Sequence, residues 1–215
     1  MATVGVDEAG KGPVLGSMFA AAVRWPDDRN FPAGLADSKQ LSPERREALD
    51  QELRGTDGAA VALAEVPVER IDDPETDMNG LTVAAHARAV GAVVRPGDVV
   101  RGDAADVDAN RYAARLADAL STDGIDVTGE HRADERHHGV AAASVVAKVA
   151  RDAHVAELAD AYGAVGSGYP SDPATVEFLE AYVDETGRLP ECARASWATS
   201  ERVLAAAEQA DLGGF

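Results

Sequence analysis

Short apolar segments of strand periodicity alternate with longer segments of helical periodicity along this chain. That alternation confines it to a mixed α/β layer fold. Residues 3–7 (TVGVD) alternate and run into Gly-rich DEAGKGP, so they read as a strand entering a tight loop. Residues 15–25, apolar and rich in small side chains, read as a second buried strand paired to the first. Ser42-Pro43-Glu44 supplies an N-cap, a proline at the first helical position and an early acid, and Gly55 ends that helix. Strands are also predicted at 59–66, 99–103 and 125–128. Helices are predicted at 81–94, 110–120, 140–162, from Asp172-Pro173 to Gly187, and over 199–210.

The single cysteine, Cys192, excludes an internal disulfide framework and a cysteine-rich zinc site, and it reads with Trp197 as a packing residue. Arg, Asp or Glu interrupts every apolar run before the ~18–20 residues of a membrane span. MATVGVDEAG has no basic stretch followed by an apolar one, which argues against a secretion leader. A cytoplasmic protein without membrane contact is therefore the expectation, with a monomer as the default.

Charge at first argues against nucleic acid. Asp and Glu number 38 against 20 Lys and Arg, a net charge of −18 that should repel a polyanion. The acids are spread along the chain, however, and only Lys11, Lys39 and Lys148 are lysines among the bases. Dispersed acidity, abundant Ala and Gly, and scarce Lys make up the composition of proteins adapted to molar salt. There the Debye length is roughly 3 Å, and net charge no longer vetoes a nucleic-acid partner.

Chemistry-bearing acids stand at strand ends. Asp7 and Glu8 close the first strand, Asp103 closes another (DVVRGD), and Asp134 follows the 125–128 strand in EHRADERHH. Adjacent strand residues point to opposite faces, so Asp7 and Glu8 share a site only if the strand ends there. Carboxylates so gathered are hard oxygen ligands suited to Mg²⁺ or Mn²⁺. Asp106 or Asp108 could stand in for Asp103, and Glu135 for Asp134. His131, His137 and His138 lie nearby without an assigned role.

GVDEAGKGPVLG, ADSKQLS, GDAADV, EHRAD, AAASVVAKVARD and GSGYPSDP occur here in series. In order and spacing they resemble the type 2 ribonuclease H family (ribonuclease HII), most closely its archaeal members. The resemblance runs from about residue 3 to residue 199. It implies an RNase H-like α/β fold, a mixed central sheet flanked by helices, with a C-terminal helical extension. In domain terms, 1–140 would be the catalytic core, 141–208 the helical remainder of the same domain, and 209–215 a tail. The implied activity is metal-dependent cleavage of the RNA strand of RNA–DNA hybrids and nicking 5′ of ribonucleotides embedded in duplex DNA. The products are 5′-phosphate and 3′-hydroxyl ends. Asp7, Glu8, Asp103 and Asp134 are then the catalytic and metal-binding acids.

The same resemblance marks substrate contacts. Gly10-Lys11-Gly12 looks like the family's Gly-Arg-Gly loop, whose backbone reads the ribose at close range. Tyr169 resembles the tyrosine that packs on the sugar beside the scissile junction. Asn79 in DMNGL, and Ser38 and Lys39 in ADSKQLS, match further contacts. Ser144, Lys148 and Arg151 fall at i, i+4 and i+7 of one helix, a stripe that suits phosphates or a solvated face equally well. Gln209, Leu212 and Phe215 form Q-x-x-L-x-x-F, which resembles a sliding-clamp-binding peptide. Two rivals remain: a resolvase-type DNA nuclease of the same superfamily, and a non-catalytic nucleic-acid-binding module.

Overall fold

The computed structural model describes residues 2–26, 30–35 and 41–213, apart from the side chains of 210–213. Ser38 and Lys39 lie outside the described residues. The chain gathers into two compact units: Met1–Ala9, Met18–Glu65 and Asp77–Arg151 in one, and Gly10–Ser17, Val66–Thr76 and Asp152–Phe215 in the other.

The first unit is built on a five-stranded sheet ordered β3-β2-β1-β4-β5. Strands β1 (Thr3–Ala9) and β2 (Met18–Trp25) pair antiparallel, as the hairpin-like pair predicts. β3 is Ala60–Val66, while β4 (Val99–Asp103) runs parallel to β1 and β5 (Asp126–Glu130) runs parallel to β4. The second strand starts at Met18 rather than at residue 15. Gly16 adopts a positive φ of 76°, and Leu15 bridges Ala193 instead of continuing the sheet.

Helix α1 (Pro43–Gly55) starts where the Ser42 side chain accepts from the Arg45 amide. The short helix α2 (Val68–Ile71) belongs to the second unit. α3 (Met78–Gly91) begins three residues before the periodicity suggests, because Asp77 caps it by accepting from Gly80 N–H. α4 (Ala109–Ala119) is capped by Asp108, and α5 spans His138–Tyr162.

The N-terminal half of α5 lies directly on the sheet, where a Cβ on Gly5 would come within 2.0 Å of the Gly139 carbonyl carbon. Only glycine permits that approach. Ala141, Ala142, Val145 and Val146 then join Val23, Trp25, Leu49 and Leu53 in one core. On the opposite face, Tyr112 of α4 occupies the space over Gly102 and Gly129, where a Cβ would lie 2.2 and 2.5 Å from its atoms.

In the second unit, α6 (Pro173–Thr186) is capped by Asp172 and closed by Gly187 at φ 70°, and α7 runs over Ala198–Gly213. Leu15, Val165, Leu179, Val183 and Val203 form its core, with Cys192 buried and Trp197 packed beside them. No helix among the described residues is long and apolar enough to cross a membrane.

Candidate active site

β1, β4 and β5 run parallel, so their C-terminal ends share one sheet edge. Val6 pairs with Gly102, which places Asp7 and Asp103 one step further along neighbouring strands. The residue pattern closes the strand at Asp7, the condition under which Asp7 and Glu8 could share a site. β1 instead continues through Ala9, and the two acids part to opposite faces. Asp7 accepts the hydroxyl of Ser144, on α5, and the Glu8 amide at 2.8 Å. Glu8 Oε2 turns toward α3, 3.0 Å from His86 Nε2, a close contact that is not an aligned hydrogen bond.

Negative charge is crowded here. Burial pushes the Asp7 carboxyl well above the ordinary range, and the charges of Glu8 and Asp103 push it further. The Ser144 hydroxyl and the Glu8 amide oppose that shift. Tyr112 responds likewise: burial raises its phenol first, then the charges of Glu8, Asp7 and Asp103. Asp7 therefore feels the charges of Glu8 and Asp103 across both faces of the sheet edge.

Asp134 is buried on a 3-10 turn, Ala133–Glu135, entered through Arg132 at a left-handed φ of 57°. The preceding amide, Ala133 N–H, donates to Asp103 Oδ1 at 3.0 Å, which ties that turn to the end of β4. The alternative acids have other occupations. Asp106 is gripped by Arg111 (Nε to Oδ2 2.9 Å), Asp108 caps α4, and Glu135 pairs with Arg132 at 2.7 Å. Glu130, opposite Asp103 in register, is held by His137 at 2.8 Å and by Arg136. Among the described residues, no three His, Cys, Asp or Glu side chains stand closely enough to enclose a metal ion as they are. The donor set nevertheless fits one: buried Asp7 and Asp134 and half-buried Glu8 and Asp103 offer the carboxylate oxygens that a hard divalent cation takes.

The stripe on α5 is not a solvated face. Ser144 and Arg151 are buried, and Lys148 Nζ donates to Ser144 Oγ at 2.6 Å, completing a Lys148–Ser144–Asp7 chain. Asn79 sits half-buried in the first turn of α3. The three histidines are dispersed: His131 Nε2 lies 3.3 Å from Val107 O, His137 is on Glu130, and the His138 ring lies 5.8 Å from that of Phe31.

Sequence reasoning missed His86 and Tyr112. Both are fully buried, with Tyr112 Oη 2.6 Å from His86 Nδ1 behind Glu8. Their signals are faint ones: a lone His in apolar AAHARAV, and glycines at the ends of two strands.

In the second unit, Gly10 takes a positive φ of 90°, Lys11 is half-buried and Gly12 is exposed. Tyr169 is 44% exposed, and its ring lies beside Gly12, 3.8 Å from where a Cβ would stand. The two loops are joined by Val14 N–H donating to Gly168 O at 2.8 Å. Gln209 is exposed on α7, while the Leu212 side chain and Phe215 lie outside the described residues.

Likeness to known proteins extends over nearly the whole chain. A family model described as Ribonuclease HII matches residues 4–200. A Ribonuclease HII of the halophilic archaeon Halobacterium salinarum is 60% identical, over 100% of both chains. The crystal structure of the ribonuclease H2 from Pyrococcus horikoshii superposes with a TM-score of 0.86 at 36% identity, covering 97% of this chain and 100% of that one. The RNase HII of a PCNA complex from Archaeoglobus fulgidus gives 0.82 at 34% identity, over 92% and 95%. Fold and likeness together define an RNase H-type endoribonuclease, an enzyme that cuts the RNA strand of RNA–DNA hybrids. The chain belongs to the ribonuclease HII family, in its archaeal, salt-adapted form.

Proposed function

We propose that Asp7, Glu8, Asp103 and Asp134 are the catalytic carboxylates, and that they hold divalent metal, Mg²⁺ or Mn²⁺. The observation that carries this is the buried Asp7 carboxylate beside the charges of Glu8 and Asp103 at one sheet edge, with the turn that bears buried Asp134 tied to Asp103 through the Ala133 amide. Bound there, the metal would supply the positive charge that activates water and stabilises the leaving oxygen of a phosphodiester. The chain's own groups orient the acids: the Ser144 hydroxyl and Glu8 amide for Asp7, and the Ala133 amide for Asp103. Lys148, joined to Asp7 through Ser144, puts an ammonium beside the site for a substrate phosphate.

On this reading the enzyme also nicks 5′ of a ribonucleotide embedded in duplex DNA, leaving 5′-phosphate and 3′-hydroxyl ends. The backbone of Gly10-Lys11-Gly12 reads the ribose, and the exposed Tyr169 ring packs on a sugar. Exposure of one and small size of the other support both roles. Asn79, Arg151, Ser38 and Lys39 complete the phosphate contacts, with Arg151 acting from a buried position. The tail Gln209–Phe215 docks on a sliding clamp, a reading favoured by the clamp complex of the Archaeoglobus relative. The enzyme works as a cytoplasmic monomer.

The test is a duplex carrying one ribonucleotide, incubated in molar KCl with Mg²⁺ or Mn²⁺ and mapped for the nick. Cleavage on the 5′ side of the ribonucleotide, abolished in Asp7→Asn, is the expected outcome. Cleavage of all-DNA duplex would favour a resolvase-type nuclease.

A further inference from the structure

Arg194 lies between α6 and α7 in ECARASW and has no exposed surface. Its guanidinium donates to three carbonyls of the glycine loop: Nε to Gly16 O at 2.9 Å, Nη1 to Lys11 O at 3.0 Å and Nη2 to Gly10 O at 2.6 Å. Trp197 supports it from two sides. The Arg194 Cζ stands 4.9 Å from the indole centroid, and the indole N–H donates to Gly12 O at 3.3 Å. The Arg194 amide also donates to Val14 O at 2.8 Å. Five carbonyls of one short loop are thus drawn toward Arg194 and Trp197.

Planar trans peptides give this a consequence. The C=O of one residue and the N–H of the next point in opposite directions. With the Gly10 and Lys11 carbonyls held on the guanidinium, the Lys11 and Gly12 N–H groups are turned away from it. Two successive amides presented together make a concave anion- and hydroxyl-binding surface. Pro13 has no N–H to lose when the Gly12 carbonyl is fixed on the indole.

We propose that Arg194 is a positioning residue for substrate recognition: by fixing these carbonyls it presents the Lys11 and Gly12 amides to a phosphate or ribose hydroxyl of the cleaved strand. The inference rests on the reading that this loop contacts the substrate. Lysine cannot replace the fork, because one ammonium nitrogen cannot stand at the three places that Nε, Nη1 and Nη2 occupy.

The experiment compares full-length Arg194→Lys and Gly12→Ala in molar KCl, with kcat and KM measured on the single-ribonucleotide duplex and folding followed by thermal unfolding. A Cβ on Gly12 meets only the Tyr169 ring at an ordinary 3.8 Å, so Gly12→Ala perturbs the recognition surface rather than the fold. Arg194→Lys should raise KM about tenfold with kcat changed far less, the loss expected when a charge-assisted hydrogen bond no longer holds the loop. A KM increase in Gly12→Ala but not in Arg194→Lys overturns the role of Arg194 and leaves the loop reading standing. Unchanged KM in both overturns the loop reading and the inference with it. If Arg194→Lys does not fold, Trp197→Phe decides. It keeps a ring over the guanidinium and deletes the donor to Gly12 O, so KM should rise about threefold, and an unchanged value overturns the proposal.

Discussion

Asp103 Oδ1 accepts the Ala133 amide across 3.0 Å, which fastens the end of β4 to the turn that carries Asp134. Two acids thirty-one positions apart are thereby linked by a hydrogen bond from a backbone amide to a carboxylate. The arrangement separates the structural role of Asp103 from its charge. Asp103→Asn retains an oxygen that can accept from Ala133, so unfolding free energy should stay within about 0.5 kcal/mol of wild type. Nuclease activity should fall by about 100-fold or more, on the scale of losing a preorganised electrostatic contributor. Asp103→Ala should lose in addition about 1 kcal/mol of stability, measured by denaturant unfolding.

Asp7 is a buried carboxylate pressed by two like charges, and such sites trade stability for function. Without added metal, Asp7→Asn should be more stable than wild type by about 1 kcal/mol while having no activity. Chelator-treated proteins compared by thermal unfolding check this. A destabilised Asp7→Asn would mean that the carboxylate is a structural anchor.

The Tyr112 ring fills the space that Gly102 and Gly129 leave open. Gly102→Ala would put a methyl 2.2 Å from Tyr112 Oη and should cost about 3 kcal/mol. Tyr112→Phe alone removes the partner of His86 Nδ1 and should cost about 1–2 kcal/mol. Combined, the two should cost less than their sum, because the atom nearest the new methyl is the hydroxyl that has gone. Additive losses in a double-mutant cycle would refute this packing.

Asp106 is a clamp on Arg111, with its carboxyl held down from the ordinary 3.8 to about 2 chiefly by the guanidinium hydrogen bond. A carboxylate depressed in the folded state contributes stability above its unfolded pKa and loses it as pH falls through the folded one. Asp106→Asn should therefore lower the Tm at neutral pH, and the gap from wild type should close between about pH 4 and pH 2. Activity at neutral pH should persist. Loss of activity without loss of stability would return Asp106 to the candidate acids.

What could be read from the residues divides by distance along the chain. Helices with a cap and a long period, such as α1 and α6, are legible because the signals are local: Ser42 and Pro43 in one, Asp172 and Gly187 in the other. α2 and the turn at 133–135 are too short to show a period. β2 starts later than the apolar run from residue 15 suggests because Val14 and Leu15 are buried in the second unit's core and not in the sheet. The four proposed acids stand out as candidates from motif and strand ends, yet the divergence of Asp7 and Glu8 depends on how far β1 continues. His86 with Tyr112 and Arg194 with the glycine loop stayed hidden. Each contact joins segments distant in sequence, and neither partner shows its purpose locally.

In the proposed function the carboxylates hold divalent metal. Thermal unfolding of chelator-treated protein in molar KCl, repeated with Mn²⁺ or Mg²⁺ added, tests it directly on wild type, Asp7→Asn and Asp103→Asn. Preferential binding to the folded state raises the Tm by mass action. A rise in wild type that is lost or sharply reduced in both variants is the predicted result; equal rises in all three proteins, or none in any, would contradict it.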